Sequence, residues 1–258
     1  MKLKLVPARR GFQWVRLGIR TFWRQPLALS ALMVIFMVFM SVAGTVPLVG
    51  LGLALALLPA GTLGIMAASR EADAGKFPRP LVFLSAFRAG RKELRAMLLL
   101  GVLYGAGYLL AMGIAALFDG GVFASRFLTG RMPTAEMAQE PATQTAMLVF
   151  MALHVPLSLM FWHAPALVHW HQVPAVKSIF FSLVACLRNI GAFALFVIAW
   201  MGILAAVMLV TSLLVGAIGD PQVAGIVLMA ALMPIITMFF TSIYFSFRDC
   251  FETEPPAP

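Results

Sequence analysis

Long apolar blocks alternate with short, mostly basic segments along the whole chain. A helix needs about 20 apolar residues to cross the hydrocarbon core of a bilayer, and the apolar blocks are long enough for six such helices. Helices are expected because a segment in lipid must satisfy its own backbone polar groups. The predicted spans are residues 27–45, 48–68, 97–118, 143–168, 191–218 and 223–247.

Each pair of predicted spans follows a basic segment in which apolar residues recur at helical spacing. Such a pattern predicts an amphipathic helix that lies in the plane of the membrane. We place these interfacial helices at residues 9–24, 80–95 and 174–189. In the first, Trp14 and Trp23 supply rings suited to the interface, and in the third Ser178 and Ser182 belong to the polar face.

The predicted fold is therefore an all-α polytopic membrane protein, with six transmembrane helices in three hairpins, each preceded by an amphipathic interfacial helix. Composition supports this fold, because 62% of the residues are hydrophobic and only 11% are charged, whereas soluble domains are about 25% charged. We expect a single integral membrane domain over residues 1–258. The net charge of +9 flanks the apolar blocks, which favours a membrane setting over nucleic-acid binding.

The distribution of lysine and arginine predicts the orientation in the membrane. Residues 1–26 and residues 69–96 each contain seven of these side chains, whereas the predicted periplasmic loop, residues 119–142, contains two. Positive residues prefer the cytoplasmic side. We therefore expect a multi-pass protein of the bacterial inner (cytoplasmic) membrane with both termini in the cytoplasm. Cys186 and Cys250 would then lie in a reducing compartment, where a disulfide is not expected.

A cleaved signal peptide is an alternative for the first span. Residues 27–40 are uncharged and mostly apolar, and Ser41-Val42-Ala43 resembles a cleavage site made of small residues. The preceding basic segment is long and amphipathic, however, and the apolar stretch resumes at Val46. These two features favour a retained span.

All four histidines lie close together in the sequence, at His154, His163, His169 and His171. Imidazole binds haem iron, copper and zinc, so a metal, haem or proton-linked role is the alternative to a structural one. Because His154 and His163 are nine residues apart, they point to nearly opposite sides of a helix. We therefore expect no metal and no cofactor, and retain His154 and His163 as candidate functional residues inside the membrane.

Two further function classes lose support from the sequence. No nucleophile motif, phosphate-binding glycine loop or plausible carboxylate pair occurs in the chain, so we expect no catalytic residues and no enzyme. No Asp, Glu, Lys or Arg falls inside a predicted span, although coupled transporters usually need such a group at membrane depth. A small-solute or lipid transporter or channel is nevertheless retained as the alternative function.

Several stretches carry a resemblance to a known family. These are residues 161–168 (FWHAPALV), residues 173–178 (VPAVKS), Arg188-Asn189, the opening residues 2–11 and the closing residues 239–251. Together they resemble an uncharacterised family of betaproteobacterial six-span inner-membrane proteins over nearly the whole chain. The Ala-Pro-x-Leu-Val signature is also remotely similar to the membrane region of some glycerophosphodiester phosphodiesterases, whose catalytic barrel is a separate domain. The resemblance implies a fold and no activity.

The sequence thus predicts a non-enzymatic inner-membrane protein that binds a partner or lipid, or organises the bilayer. The basic segments predict membrane lipids, mainly anionic ones, as partners, because basic residues near an anionic leaflet are attracted to it. Another membrane protein or a second copy of the chain is a further candidate, and nucleic acid is not. The residues predicted to contact anionic lipid are Arg16, Arg20, Arg24, Arg88, Arg91, Lys92 and Arg95.

Overall fold

The computed structural model describes residues 2–46, 49–85, 90–129, 134–218 and 220–251, with five residues inside helices described by their backbone alone. The helices in these ranges are α1 (Arg10–Arg24), α2 (Pro26–Gly44), α3 (Gly50–Asp73), a 3₁₀ helix (Pro80–Leu84), α4 (Arg91–Asp119), α5 (Val122–Leu128), α6 (Ala135–Gln139), α7 (Pro141–Trp162), α8 (Ala164–His171), α9 (Ala175–Arg188), α10 (Ile190–Ile218) and α11 (Pro221–Phe251).

Six helical segments are long and apolar enough to cross a membrane, judged by length and composition. They are α2, α3, α4, the consecutive pair α7 and α8, α10 and α11. All regular structure in the described ranges is helical. The predicted class, an all-α polytopic membrane protein with six spans, is therefore confirmed.

The chain forms two compact units. One contains Met1–Met37, Gly61–Arg88 and Val184–Pro258, and the other contains Val38–Ala60 and Ala89–Leu183. The first unit holds α1, α10 and α11, and the second holds α4 to α8. We describe the two units separately.

In the first unit, α1 packs directly against α10 and α11. Two glycines make this possible, because a Cβ atom on Gly11 would overlap the Ala192 carbonyl oxygen of α10, and one on Gly18 would lie 2.5 Å from Ser242 Cβ of α11. Trp14 lies between them and is 0% exposed, whereas Trp23 is 66% exposed. The prediction of an interfacial Trp14 is therefore wrong, because the glycines bring this face of α1 against protein.

The second predicted interfacial helix, residues 80–95, is not one continuous helix. The 3₁₀ helix ends at Leu84, residues 86–89 lie outside the described ranges, and α4 begins at Arg91 after Gly90, whose φ is 130°. Tertiary contacts fix the 3₁₀ helix, since Phe83 packs against Gly64 and stacks on Phe36 with ring centroids 6.2 Å apart. Helical periodicity in the sequence does not reveal such contacts.

The third predicted interfacial helix matches α9 in its bounds but not in its buried face. Ser178 and Ser182 are fully buried, whereas Val176, Phe180 and Leu187 are exposed. The prediction that the two serines lie on a polar outer face is wrong. Small side chains let a helix approach its neighbours closely, and lipid can accommodate the large apolar ones.

In the second unit, α4 packs against α7 and also contacts α8. Gly101 of α4 lies against the carbonyl oxygen of Ala56 in α3, and Gly107 lies against the Leu157 side chain of α7. These contacts bring the backbones of neighbouring helices close together, as small residues do in membrane proteins generally.

Ser182 supports the break between α7 and α8. In an uninterrupted helix the His163 N–H would donate to the Leu159 carbonyl oxygen, four residues earlier. Instead the His163 N–H donates to Ser182 Oγ at 2.9 Å, and that hydroxyl donates to the Leu159 oxygen at 2.8 Å. One side chain thus bridges both backbone groups at the break, as is typical where a side chain inserts into a kinked helix.

Replacing Ser182 with Ala should destabilise the protein, because the variant removes the hydroxyl that joins the His163 N–H to the Leu159 oxygen. We expect a loss of about 1–3 kcal/mol, measured as a lower midpoint of thermal unfolding in detergent. Ser212→Ala is the matched control, since the exposed Ser212 hydroxyl donates only within its own helix, to the Met208 oxygen at 2.7 Å. Equal midpoints for the two variants would contradict the bridging role.

Candidate functional site

Asn189, the only asparagine in the sequence, holds the amino-terminal segment against the first unit. The Val6 N–H donates to Asn189 Oδ1 at 2.8 Å, and Asn189 Nδ2 donates to the Lys4 carbonyl oxygen at 3.2 Å. The same Nδ2 also contacts the Ala185 oxygen at 3.0 Å and Cys250 Sγ at 3.6 Å. Asn189 is buried. Its side-chain amide both accepts from and donates to the backbone of the segment, as a neighbouring peptide group does in regular secondary structure.

The amino-terminal segment also bonds to the end of α11. The Lys4 N–H donates to the Cys250 carbonyl oxygen at 2.9 Å. Cys250 and Cys186 are both buried, and no disulfide joins them. In this unit the beginning of the described chain therefore lies beside the end of the last span.

Two aspartates organise the charges at this end of the unit. Asp73, at the end of α3, accepts from Arg24 at 3.2 Å and from Arg248 at 3.3 Å. Asp249 pairs with Arg248 at 3.4 Å and with Arg10 at 3.6 Å. We call these five side chains the charged network. It connects α1, α3 and α11 through groups that are only partly exposed.

Trp14 connects the charged network to the packed face of α1. Its indole Nε1 donates to Asp249 Oδ2 at 3.0 Å, and its ring lies 5.2 Å from that of Phe193 in α10. A buried indole N–H needs an acceptor, and a carboxylate is a strong one. The Trp14 ring therefore packs against apolar side chains of α10, while its indole N–H bonds to Asp249 of the charged network.

The three arginines of α1 that are predicted to contact anionic lipid, Arg16, Arg20 and Arg24, fall into two groups. Arg24 belongs to the charged network, and it also donates to the Asp73 carbonyl oxygen at 2.8 Å. Arg16 and Arg20 are exposed, and neither forms an ion pair with any residue that the structure describes. Arg9, also exposed, lies seven residues before Arg16 and hence close to the same side of the helix. We call Arg9, Arg16 and Arg20 the basic face.

The other predicted lipid contacts lie in the second unit or outside the described ranges. Arg91, Lys92 and Arg95 are exposed in the first turns of α4, so they begin a spanning helix and do not belong to a separate interfacial helix. Arg88 lies outside the described residues.

The two candidate intramembrane histidines have different surroundings. His154 is half-buried, stacks on Phe150 with ring centroids 5.2 Å apart, and exchanges a hydrogen bond with Ser158 at 3.2 Å. Its other neighbour is Tyr108, with ring centroids 5.5 Å apart. His163 is 0% exposed at the break between α7 and α8. Within the described ranges, no group of three His, Cys, Asp or Glu residues could hold a metal ion.

Asp73, Asp249 and Asn189 are organising residues that the sequence pattern alone does not single out. A signal for them exists, since each is a side chain that accepts hydrogen bonds beside basic residues at the end of an apolar block. That signal does not tell which arginine or peptide group each one meets. The partners come from other helices, so only the tertiary structure reveals them.

The helices and their composition define a multi-pass α-helical membrane protein. Over its full length the chain is 36% identical to a protein of Burkholderia thailandensis named as a probable inner membrane protein, and the match covers 97% of that relative. The chain belongs to the family of this relative and is an inner-membrane protein. No protein-family model and no solved structure matches the chain.

The full-length match fits the predicted resemblance to a family of inner-membrane proteins. The remote resemblance to the membrane region of glycerophosphodiester phosphodiesterases finds no support in this match and stays a prediction. The relative's name states a location and no activity.

Replacing Asn189 with Leu should release the amino-terminal segment, because the variant removes the acceptor of Val6 and the donor to Lys4 while keeping a similar volume. We expect faster backbone hydrogen exchange in residues 2–8, and a loss of stability of about 1–3 kcal/mol. Hydrogen exchange followed by mass spectrometry measures the first effect. Gln144→Leu is the control, since that exposed amide bonds only near its own helix. Unchanged exchange in the Asn189 variant would contradict this role.

Proposed function

We propose that this inner-membrane protein is non-enzymatic and binds anionic phospholipid through the basic face of α1. The observation that carries the proposal is the division among the arginines. Arg10, Arg24 and Arg248 are paired with aspartates, whereas Arg16 and Arg20 are exposed and have no such partner among the described residues. Their charge is therefore available to a ligand.

The packing of α1 supports lipid as that ligand. Gly11, Trp14 and Gly18 hold one side of the helix against α10 and α11, which presents the basic face in a fixed direction. Phe12 is 51% exposed and Trp23 is 66% exposed. Exposed aromatic rings beside unpaired arginines suit a bilayer interface, where rings enter the headgroup region and basic groups meet phosphates.

The same proposal places both termini in the cytoplasm. The hydrogen bonds from Lys4 and Asn189 support a common side for the two ends of the chain, because they join the amino-terminal segment to the end of α11. The excess of lysine and arginine in residues 1–26 and 69–96 supports the cytoplasm as that side.

The alternative, a small-solute or lipid transporter or channel, has weaker support. A groove of about 190 Å³ lies between α4 and α7, and its lining includes Leu110, Ile114, Leu153 and Pro156. These side chains offer a polar solute no hydrogen-bonding groups. Since membrane transport of polar solutes needs such groups, this groove gives no support to transport of a polar solute, and we favour the lipid binding that the unpaired arginines of α1 support.

Changing Arg16 and Arg20 together to Gln should reduce the binding of phosphatidylglycerol, because each basic residue near an anionic lipid surface contributes about 1 kcal/mol. That corresponds to about a fivefold change per residue. Native mass spectrometry of the protein in lipid nanodiscs measures the lipid retained. Arg24 is left in place, since its loss would disturb the charged network.

The matched control changes Arg126 and Arg131 to Gln, which removes the same charge from the predicted periplasmic loop. We expect this control to retain phosphatidylglycerol as the unchanged protein does. Equal retention by the Arg16/Arg20 variant, with its unfolding midpoint unchanged, would overturn lipid binding at the basic face.

Reporter fusions test the orientation. Fusions after Met66, after Ala175 and at the carboxyl terminus should report the cytoplasm, and fusions near Val46, Gly130 and Gln222 should report the periplasm. This pattern follows from the charge distribution. A cytoplasmic signal at Gly130 would contradict the six-span topology.

A further inference from the structure

A cavity of about 390 Å³ lies in the first unit, between the last turns of α3 and the segment that follows it. Its lining includes Ala67, Glu71, Lys76, Arg79, Val82 and Ser85. The cavity is distinct from the basic face, since no residue of α1 lines it. It therefore needs its own explanation.

The end of α3 fixes the geometry of this cavity. The Lys76 N–H donates to the Glu71 carbonyl oxygen at 2.9 Å, and the Gly75 N–H donates to the Ala72 oxygen at 3.1 Å. Gly75 has a φ of 74°, so the helix ends in a Schellman motif, in which a glycine with positive φ reverses the chain. This reversal turns the basic residues Lys76 and Arg79 back toward Glu71.

Charges of both signs line the cavity without neutralising one another. Within the described ranges Glu71, Lys76 and Arg79 form no ion pair, although all three border the same space. Opposite charges that share a cavity without pairing can each serve a different charge of one ligand. Lys76 and Arg79 suit a phosphate, and Glu71 suits an ammonium group.

The lining of the cavity combines apolar and charged residues. Ala67 and Glu71 are four residues apart and so lie on one side of α3. Ala67 falls inside the predicted span, whereas Glu71 lies beyond its end at residue 68. Buried Val82 and the half-exposed Leu81 add apolar surface. A phospholipid likewise combines apolar acyl chains with a charged phosphate and headgroup.

We propose that this cavity binds a phospholipid with a zwitterionic headgroup, with its phosphate on Lys76 and Arg79 and its ammonium group on Glu71. The ligand differs from that of the basic face, which carries positive charge alone. The separate positive and negative groups in the lining, and not its net charge, match the phosphate and the ammonium of such a headgroup. The Ser85 hydroxyl, which donates to the Val82 oxygen at 2.6 Å, keeps its lone pairs available to that ammonium.

The test compares phosphatidylethanolamine with phosphatidylglycerol on the full-length protein in nanodiscs, with retained lipid measured by native mass spectrometry. Changing Lys76 and Arg79 together to Gln should weaken saturable phosphatidylethanolamine binding at least about tenfold, because hydrogen bonds to charged groups are lost. Glu71→Gln should weaken binding of phosphatidylethanolamine but not that of phosphatidylglycerol. Lys177→Gln is the control, since exposed Lys177 does not line the cavity.

The outcomes separate this site from the basic face. The Arg16/Arg20 variant should keep phosphatidylethanolamine binding and lose only phosphatidylglycerol binding. A Lys76/Arg79 variant that loses both lipids equally would overturn the zwitterionic site and leave the proposed function intact. Wild-type phosphatidylethanolamine binding in the Lys76/Arg79 variant, or in Glu71→Gln, would also overturn it. Soluble phosphoethanolamine, tested in parallel by calorimetry, distinguishes a lipid source from a free one, and equally tight binding would assign the site to the soluble compound.

Discussion

The close contact of α1 with α10 and α11 is the interaction on which the first unit depends. It exists because Gly11 and Gly18 have no side chain where the neighbouring backbones lie. Trp14 fills the space between these two points and is fully buried. Once this contact forms, the indole N–H reaches Asp249 and Arg24 reaches Asp73. The charged network is therefore a consequence of helix packing.

The charged network has a second consequence for the surface of the unit. Asp73 and Asp249 form ion pairs with Arg10, Arg24 and Arg248, whereas Arg16 and Arg20 lie outside the network. Sequence alone shows a row of similar arginines on α1. The structure separates those that hold helices together from those that can meet phosphates, which is why lipid binding is proposed for Arg16 and Arg20 and not for Arg24.

In the second unit, a side chain forms hydrogen bonds with backbone groups that the helix itself leaves without a partner. The Ser182 hydroxyl joins the His163 N–H and the Leu159 oxygen at the break between α7 and α8. Such a bridge matters in lipid, where no water replaces a lost backbone hydrogen bond. His154, at the middle of α7, packs among aromatic rings and bonds to Ser158. His154 and His163 stay candidate functional residues.

The sequence by itself determined the class and the number of spans, because the length and composition of an apolar block are local properties. It also located α1 and α9 to within a residue or two. Only the tertiary structure decided which face of each helix is buried, and which arginines pair with Asp73 and Asp249. The physical reason is that lipid tails are as apolar as a leucine side chain. Hydrophobic periodicity therefore cannot distinguish a helix face that contacts lipid from one that contacts protein. Small residues such as Gly11, Gly18 and Ser182 determine which face is buried, because they contact residues that are distant in the sequence.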